Sequence, residues 1–152
     1  MATDRFETFA EFWPHYLGEH RTPLCRVAHF VGTSISIALY AASFALDPVG
    51  FGGAMLFVVA LGAAGFSVVE SRARATVFLL AMFGVAAWAQ PYLVPAAVAA
   101  GYAFAWVGHF HIENNRPASF DYPVWSFFAD LRMWALMLTG RLWSGDPVTQ
   151  VA

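Results

Sequence analysis

Five histidines fall in two short windows of the sequence, residues 15–29 and 109–111. In the second window His109 and Glu113 are four residues apart, a spacing that places them on one face of an α-helix. With His20 and His29 they would offer three nitrogens and a carboxylate to one metal ion. Such a set suits non-haem Fe(II) with open positions, or zinc. The residue types therefore predict a metal site, provided that the two windows meet in the fold.

Two histidines and the carboxylate have simpler interpretations as well. His15 lies beside acidic residues on a polar face, and His111 would point away from His109 on a regular helix. Both are favoured as ordinary hydrogen-bonding groups, although they stay additional candidates for the site. Glu113 has an alternative in a surface ion pair with Arg116.

The elements that must bring the windows together are strongly apolar. Of 152 residues, 59% are hydrophobic and 12% are charged, whereas a soluble domain carries about 25% charged residues. Uncharged runs are long enough to cross a bilayer, and the last one is divided by Gln90-Pro91-Tyr92 and Pro95. We expect one integral membrane domain over residues 1–152, with spans near the four ranges 29–46, 51–69, 75–91 and 94–112.

Arginine positions predict the orientation of these spans. All eight basic residues are Arg, and they lie before span one, between spans two and three, and after span four. Because cytoplasmic flanks carry the positive charge, both termini are expected in the cytoplasm, on the same side as both histidine windows. The net charge of −2 argues against a nucleic-acid partner, which would need a basic face.

Apolar residues also recur at helical spacing in both flanking segments. The N-terminal stripe predicts a helix that starts or kinks at Pro14; its members are Phe6, Phe9, Trp13, Tyr16, Leu17 and His20. The C-terminal stripe consists of Trp125, Phe128, Leu131, Ala135, Leu138 and Leu142. We therefore predict an all-α integral membrane four-helix bundle, with N-terminal and C-terminal interfacial helices on the cytoplasmic side.

Three stretches make the sequence similar to a known family: FWPHYLGEH at residues 12–20, HFVGT at 29–33 and GHFHIENNRPA at 108–118. The chain resembles the membrane-embedded 2-hydroxy fatty acid dioxygenases, in a bacterial branch long catalogued as a domain of unknown function. The resemblance covers nearly the whole chain. It implies an Fe(II)-dependent, haem-free enzyme of the bacterial inner membrane that uses O2 to shorten 2-hydroxy fatty acids by one carbon, an α-oxidation step.

The family motifs can be carried over residue by residue. The family's histidines match His20, His29 and His109, and its Glu-x-x-Arg-Pro element begins at Glu113 and contains Arg116. The resemblance thus implies iron on the three histidines with Glu113 as a further ligand. Arg116 is expected to pair with the substrate carboxylate through its planar guanidinium.

Two positions depart from the family pattern, and two other function classes remain open. Asn114 stands where the family often has Lys, and His111 stands where an apolar residue is usual. The alternative functions are non-catalytic: a metal-binding membrane scaffold or transporter, or a lipid-binding structural protein without metal. In the enzymatic interpretation the partners are a 2-hydroxy fatty acid, O2 and membrane lipid.

Overall fold

The fold is described from a computed structural model, which covers residues 6–66 and 72–150. Within these residues the protein is all-α, with six α-helices and no strand. A π-helix at Val107–Glu113 continues α5, and a short 3-10 helix at Ala118–Phe120 precedes α6. The α-helices are α1 (Phe9–Gly18), α2 (Pro23–Leu46), α3 (Gly50–Phe66), α4 (Arg72–Ala89), α5 (Leu93–Trp106) and α6 (Pro123–Leu138).

The chain divides into two compact units. Unit 1 combines Met1–Val31 with Phe104–Ala152, and unit 2 is Gly32–Ala103. Unit 1 is therefore built from the two ends of the sequence, and unit 2 is the segment between them. The expectation of one domain over residues 1–152 stays a prediction.

Helix α1 starts earlier than its proline predicts. The Thr8 hydroxyl accepts the backbone N–H of Glu11 at 3.2 Å, and the Glu11 carboxylate accepts the N–H of Glu7 at 3.1 Å. These contacts satisfy N–H groups at the helix start that have no partner within the helix. Pro14 then lies inside the helix, which runs through it to Gly18.

Unit 1 has an aromatic core between α1 and α6. The buried face of α1 carries Phe12, Trp13, Tyr16 and Leu17, so the apolar stripe that predicted an interfacial helix is covered by the chain itself. The buried face of α6 differs from the predicted stripe, since Phe128 and Leu138 are exposed. Small and flexible side chains replace them and give the α1 rings room to pack; they are Ser126, Ala129, Met133 and Met137.

Unit 2 has a small core and an apolar exterior. Helices α3 and α4 pack together around Phe51, Val58, Ala86 and Val94. On the outside, Leu56 is 75% exposed, Val59 65% and Trp88 85%. A helix that is apolar on all sides and not buried in protein is typical of a lipid environment.

Two helical segments are long and apolar enough to cross a membrane, Pro23–Leu46 and Leu93–Glu113. The apolar stretches Gly50–Ala63 and Thr76–Ala89 are shorter. Membrane association rests on these two segments and on the exposed apolar side chains of unit 2. The end of the predicted second span, at residues 67–69, lies outside the described residues.

Helix α2 begins six residues before the predicted first span, and Arg26 explains the difference. Its guanidinium is fully buried and donates to the backbone carbonyls of His20, Arg21, Leu142 and Gly145 at 2.6–3.0 Å. A charge that the sequence pattern places in a flanking loop thus lies within the helix. Its hydrogen bonds also connect the start of α2 to the loop that follows α6.

Candidate metal centre

Three buried histidines from three segments of unit 1 form a cluster. His20 follows α1, His29 lies in the second turn of α2, and His109 lies in the π-helix. Their exposed fractions are 0%, 6% and 3%, and one ring nitrogen from each lies within 4.8 Å of the others. The ring centroids are 4.4 Å (His20 to His29), 4.7 Å (His20 to His109) and 5.2 Å (His29 to His109) apart. The structure therefore brings together the two histidine windows of the sequence.

Each histidine uses its Nδ1 atom for a hydrogen bond that leads away from the cluster. His20 Nδ1 lies 2.6 Å from the carbonyl oxygen of Tyr16. His29 Nδ1 lies 2.7 Å from Asp130 Oδ1, and His109 Nδ1 lies 2.8 Å from the Asn115 side chain. All three partner atoms are oxygens that only accept, so each Nδ1 carries the hydrogen. In a neutral imidazole with this tautomer, Nε2 has the free lone pair.

The Nε2 atoms fit a metal ion. His20 Nε2 and His29 Nε2 are buried and have no hydrogen-bond partner in the described part of the chain. A buried polar atom without a partner is costly, and buried polar groups are nearly always paired. A cation would provide the partner, and a histidine ligand normally donates its second ring N–H to an oxygen, as all three do here. The donor set of three imidazoles suits Fe(II) or zinc with open coordination positions.

Asn115 is held in the orientation that His109 requires. Its Nδ2 donates to the Glu19 carbonyl oxygen at 2.9 Å and to the Glu19 carboxylate at 2.7 Å. The amide oxygen must therefore face His109. Asn114 reaches this turn with a left-handed φ of 54°, a conformation that Asn tolerates better than most residues.

Close packing of the π-helix against α2 depends on Gly108. A β-carbon at this position would lie 3.0 Å from Cys25 Sγ and 3.3 Å from His29 Cδ2. These distances are too short for a comfortable contact, so a side chain here would separate the segments that carry His29 and His109.

Tyr16 and Asp130 connect two of the histidines. The Tyr16 hydroxyl donates to Asp130 Oδ1 at 3.2 Å, the same oxygen that accepts from His29. Burial raises the pKa of Tyr16 well above its usual value, and the Asp130 charge raises it further. Burial also lowers the pKa of His20 well below its usual value, with a smaller contribution from His29 and His109. His20 is thus held neutral, as a metal ligand must be.

The other predicted site residues have contacts of their own, and their roles in the site stay predictions. Glu113 Oε1 accepts the Thr22 backbone N–H at 2.7 Å and the Thr22 hydroxyl at 2.9 Å, so it binds the start of α2. Arg116 pairs with Asp121 at 3.4 Å and its side chain is 61% exposed. His15 and His111 are both exposed.

The backbone that carries His109 and Glu113 is not the α-helix that their spacing predicts. Val107–Glu113 is a π-helix, in which hydrogen bonds run from residue i to i+5 and the turn is wider. Residues four apart therefore no longer lie one above the other as they do in an α-helix.

Sequence reasoning missed the three residues that fix the histidine rings. Asn115 is six residues after His109 within a recognised stretch, but a spacing of six is not a helical neighbour. Asp130 is the single acidic residue in α6, and an isolated carboxylate in an apolar helix was a usable signal. The role of Tyr16 depends on its backbone carbonyl as well as its hydroxyl, and no residue type reveals that.

Comparison with protein families gives one match that covers most of the chain. A family model described as 2-hydroxy-palmitic acid dioxygenase Mpo1-like matches residues 6–142. Searches of curated proteins and of solved structures give no match.

Proposed function

The chain belongs to the Mpo1-like family of 2-hydroxy-palmitic acid dioxygenases, and from this premise we propose that it is a non-haem Fe(II) dioxygenase of 2-hydroxy fatty acids. The proposed reaction is α-oxidation, in which O2 is consumed and the acyl chain loses one carbon. The balance closes with a fatty acid one carbon shorter, CO2 and water.

The observation that carries the proposal is the buried cluster of His20, His29 and His109. Each Nδ1–H is already directed at an oxygen, and the Nε2 atoms of His20 and His29 have no partner in the described residues. We assign the iron to these three side chains. Since Glu113 Oε1 is held by Thr22, its predicted role as a fourth ligand is not needed for the assignment.

Fe(II) held by these three histidines would supply the chemistry of O2 activation and a Lewis acid for the 2-hydroxy carboxylate head group. The protein's own contribution is orientation, because each of the three imidazoles is fixed by a hydrogen bond from its Nδ1. Burial of the cluster keeps water away from it.

We propose that Arg116 binds the substrate carboxylate after its side chain has moved away from Asp121. Its guanidinium is paired with Asp121 and lies 5.4 Å from the centre of the Phe120 ring. A substrate carboxylate would have to replace Asp121 as its partner. An exposed ion pair of this kind contributes little to stability, so the exchange is inexpensive.

We further propose that the protein crosses the bacterial inner membrane with four helices and has both termini in the cytoplasm. Helices α3 and α4 contain 17 and 18 residues, or about 26 Å each at 1.5 Å per residue, close to the hydrocarbon thickness of about 30 Å. The exposed apolar residues of unit 2 support this environment, and the acyl tail of the substrate would share it. The exposed Phe127 and Phe128 of α6 would lie at the cytoplasmic surface.

Reconstitution tests the activity directly. Purified protein loaded with Fe(II) without oxygen should convert 2-hydroxypalmitate to the fifteen-carbon acid when O2 is added. Elemental analysis of protein purified without added metal should give near-stoichiometric iron. Iron-loaded protein that forms no shortened product would refute the enzymatic proposal. It would favour the alternative of a non-catalytic metal- or lipid-binding membrane protein.

A further inference from the structure

The three oxygens that accept the histidine N–H groups differ in charge. His20 donates to a backbone carbonyl and His109 to a side-chain amide, whereas His29 donates to the Asp130 carboxylate. We propose that Asp130 is a positioning residue that makes His29 the strongest nitrogen donor of the cluster, and that the Tyr16 hydroxyl limits this effect. The inference rests on the metal site of the proposed function and concerns how the protein tunes it.

The hydrogen bond of His29 differs in kind from those of the other two histidines. A hydrogen bond to an ionised acceptor is roughly twice as strong as one between neutral groups. It draws the Nδ1 hydrogen toward Asp130, which leaves more electron density on the ring and makes Nε2 a better ligand. The neutral oxygens opposite His20 and His109 have a weaker effect, so the three ligands are not equivalent.

Asp130 also contributes negative charge beside the cluster. Three neutral imidazoles leave the charge of a divalent ion uncompensated, and Asp130 is the carboxylate in direct contact with one of them. It lies at 2.7 Å from the ring with its side chain 23% exposed. The Glu113 carboxylate is not in contact with a ring in the same way, since its Oε1 accepts the backbone N–H and the hydroxyl of Thr22. Asp130 therefore supplies negative charge one ring away from the ion without occupying a coordination position.

Tyr16 contacts both Asp130 and His20. Its hydroxyl donates to the same oxygen that accepts from His29, at 3.2 Å, and so withdraws part of the negative charge. The carbonyl that orients His20 belongs to the backbone of the same residue. Replacement by Phe removes the hydroxyl alone and keeps the contact to His20. The two substitutions D130N and Y16F thus change the charge felt by His29 in opposite directions.

Metal affinity and redox potential test the inference on the full chain in detergent. The titrations compare four proteins: wild type, D130N, Y16F and the control E7Q, which neutralises an exposed carboxylate near the N-terminus. Each is titrated with Co2+ and, without oxygen, with Fe2+ against a competing chelator. D130N is expected to lower the affinity by about 10-fold to 100-fold, the usual effect of losing such a partner. Y16F should equal or exceed wild type, and E7Q should match it.

The Fe(III)/Fe(II) midpoint potential is measured as well, because a purely structural role of Asp130 would not change it. It should rise in D130N, because the loss of negative charge disfavours Fe(III), and fall in Y16F. The thermal midpoint of the metal-free protein is measured in parallel as a check on folding. If metal-free D130N does not fold, the inference is tested by the direction in which the midpoint potential of Y16F shifts.

Specific outcomes overturn the inference. Affinity and potential of D130N equal to wild type, or shifts of the same sign in both variants, would reduce Asp130 to a packing contact. A wild-type protein that binds no metal would overturn it together with the metal site. Wild-type protein that binds iron with the expected pattern but forms no shortened acid would refute the proposed function and leave this inference intact.

Discussion

Unit 1 and unit 2 place their polar and apolar groups in opposite ways. Unit 1 buries ionisable side chains, among them Arg26 and the three clustered histidines, and surrounds them with hydrogen-bond partners. Unit 2 has a small apolar core that includes Phe51 and Val94, and it exposes large apolar side chains such as Leu56 and Trp88. The first arrangement costs desolvation that only specific partners offset. The second is stable only where the surroundings are themselves apolar.

The contrast teaches that buried polar groups and exposed apolar groups are concentrated in different parts of one short chain. In the proposed function, unit 1 carries the chemistry and most of the lipid-facing surface belongs to unit 2. Substitutions in unit 1 should act through lost partners, and substitutions in unit 2 through lost compatibility with lipid. The following predictions test this division.

The largest effect is expected from removal of a clustered histidine. His29→Ala removes one of three nitrogen donors, so metal affinity should fall by more than about 100-fold, beyond the range for a residue behind a ligand, and product formation should cease. Metal content and a lipid product profile measure both. His15→Ala, at an exposed histidine of the same unit, is the control and should keep both properties. Full iron occupancy in His29→Ala would contradict the assignment.

Removal of the buried guanidinium should have the next largest effect. Arg26→Met leaves four backbone carbonyls without their donor, and each buried unsatisfied group costs about 1–3 kcal/mol. We expect a loss of roughly 3 kcal/mol or more in the free energy of unfolding, measured by denaturation in detergent. Arg21→Met removes an exposed charge and should change little. Equal stability of the two variants would mean that the buried contacts of unit 1 are not decisive.

A charge on the apolar exterior distinguishes the environments of the two units. Val59→Arg lies near the middle of α3 and is expected to disfavour membrane insertion by roughly 2.5–3.5 kcal/mol. The measured quantity is the fraction of protein in the membrane pellet after expression. Ala10→Arg, on the exposed side of α1, is the matched control and should not change that fraction. If Val59→Arg became more soluble and stayed folded, unit 2 would not lie in lipid.

The smallest effect tests a local feature of unit 1. Thr8→Ala removes the hydroxyl that accepts the Glu11 N–H and should cost about 1 kcal/mol of stability. Hydrogen exchange should show faster opening at the first turn of α1 and no change in unit 2. Thr8→Ser keeps the acceptor and should behave as wild type. Uniform loss of protection in both units would show that they unfold together.

The sequence predicted the helices well because long uncharged runs leave few other folds. It also predicted the histidine cluster, since His20, His29 and His109 are polar residues within or beside apolar helices. Spacing alone did not predict the π-helix that carries His109 and Glu113, and the role of Glu113 as a ligand stays a prediction.

The partners of the histidines were beyond sequence reasoning for a different reason. His29 and Asp130 are 101 residues apart, and the buried face of α6 is lined by small residues and Met rather than by its most apolar stripe. Periodicity identifies the most apolar face of a helix, but packing against the rings of α1 selects the face that fits them. Asp130 lies next to that selected face.

Because unit 1 is formed from both ends of the sequence, its clustered histidines are synthesised at different times. His20 and His29 leave the ribosome early, and His109 follows 80 positions after His29, once all of unit 2 has been made. At synthesis rates of about 5–20 residues per second this interval lasts roughly 4–16 s, and Asp130 comes later still. During that time two histidines are available without the third, so a transient ion would be held weakly. If the three histidines hold iron as proposed, its stable binding is a late event, and a bound ion reports that the segment between the two ends has already been made.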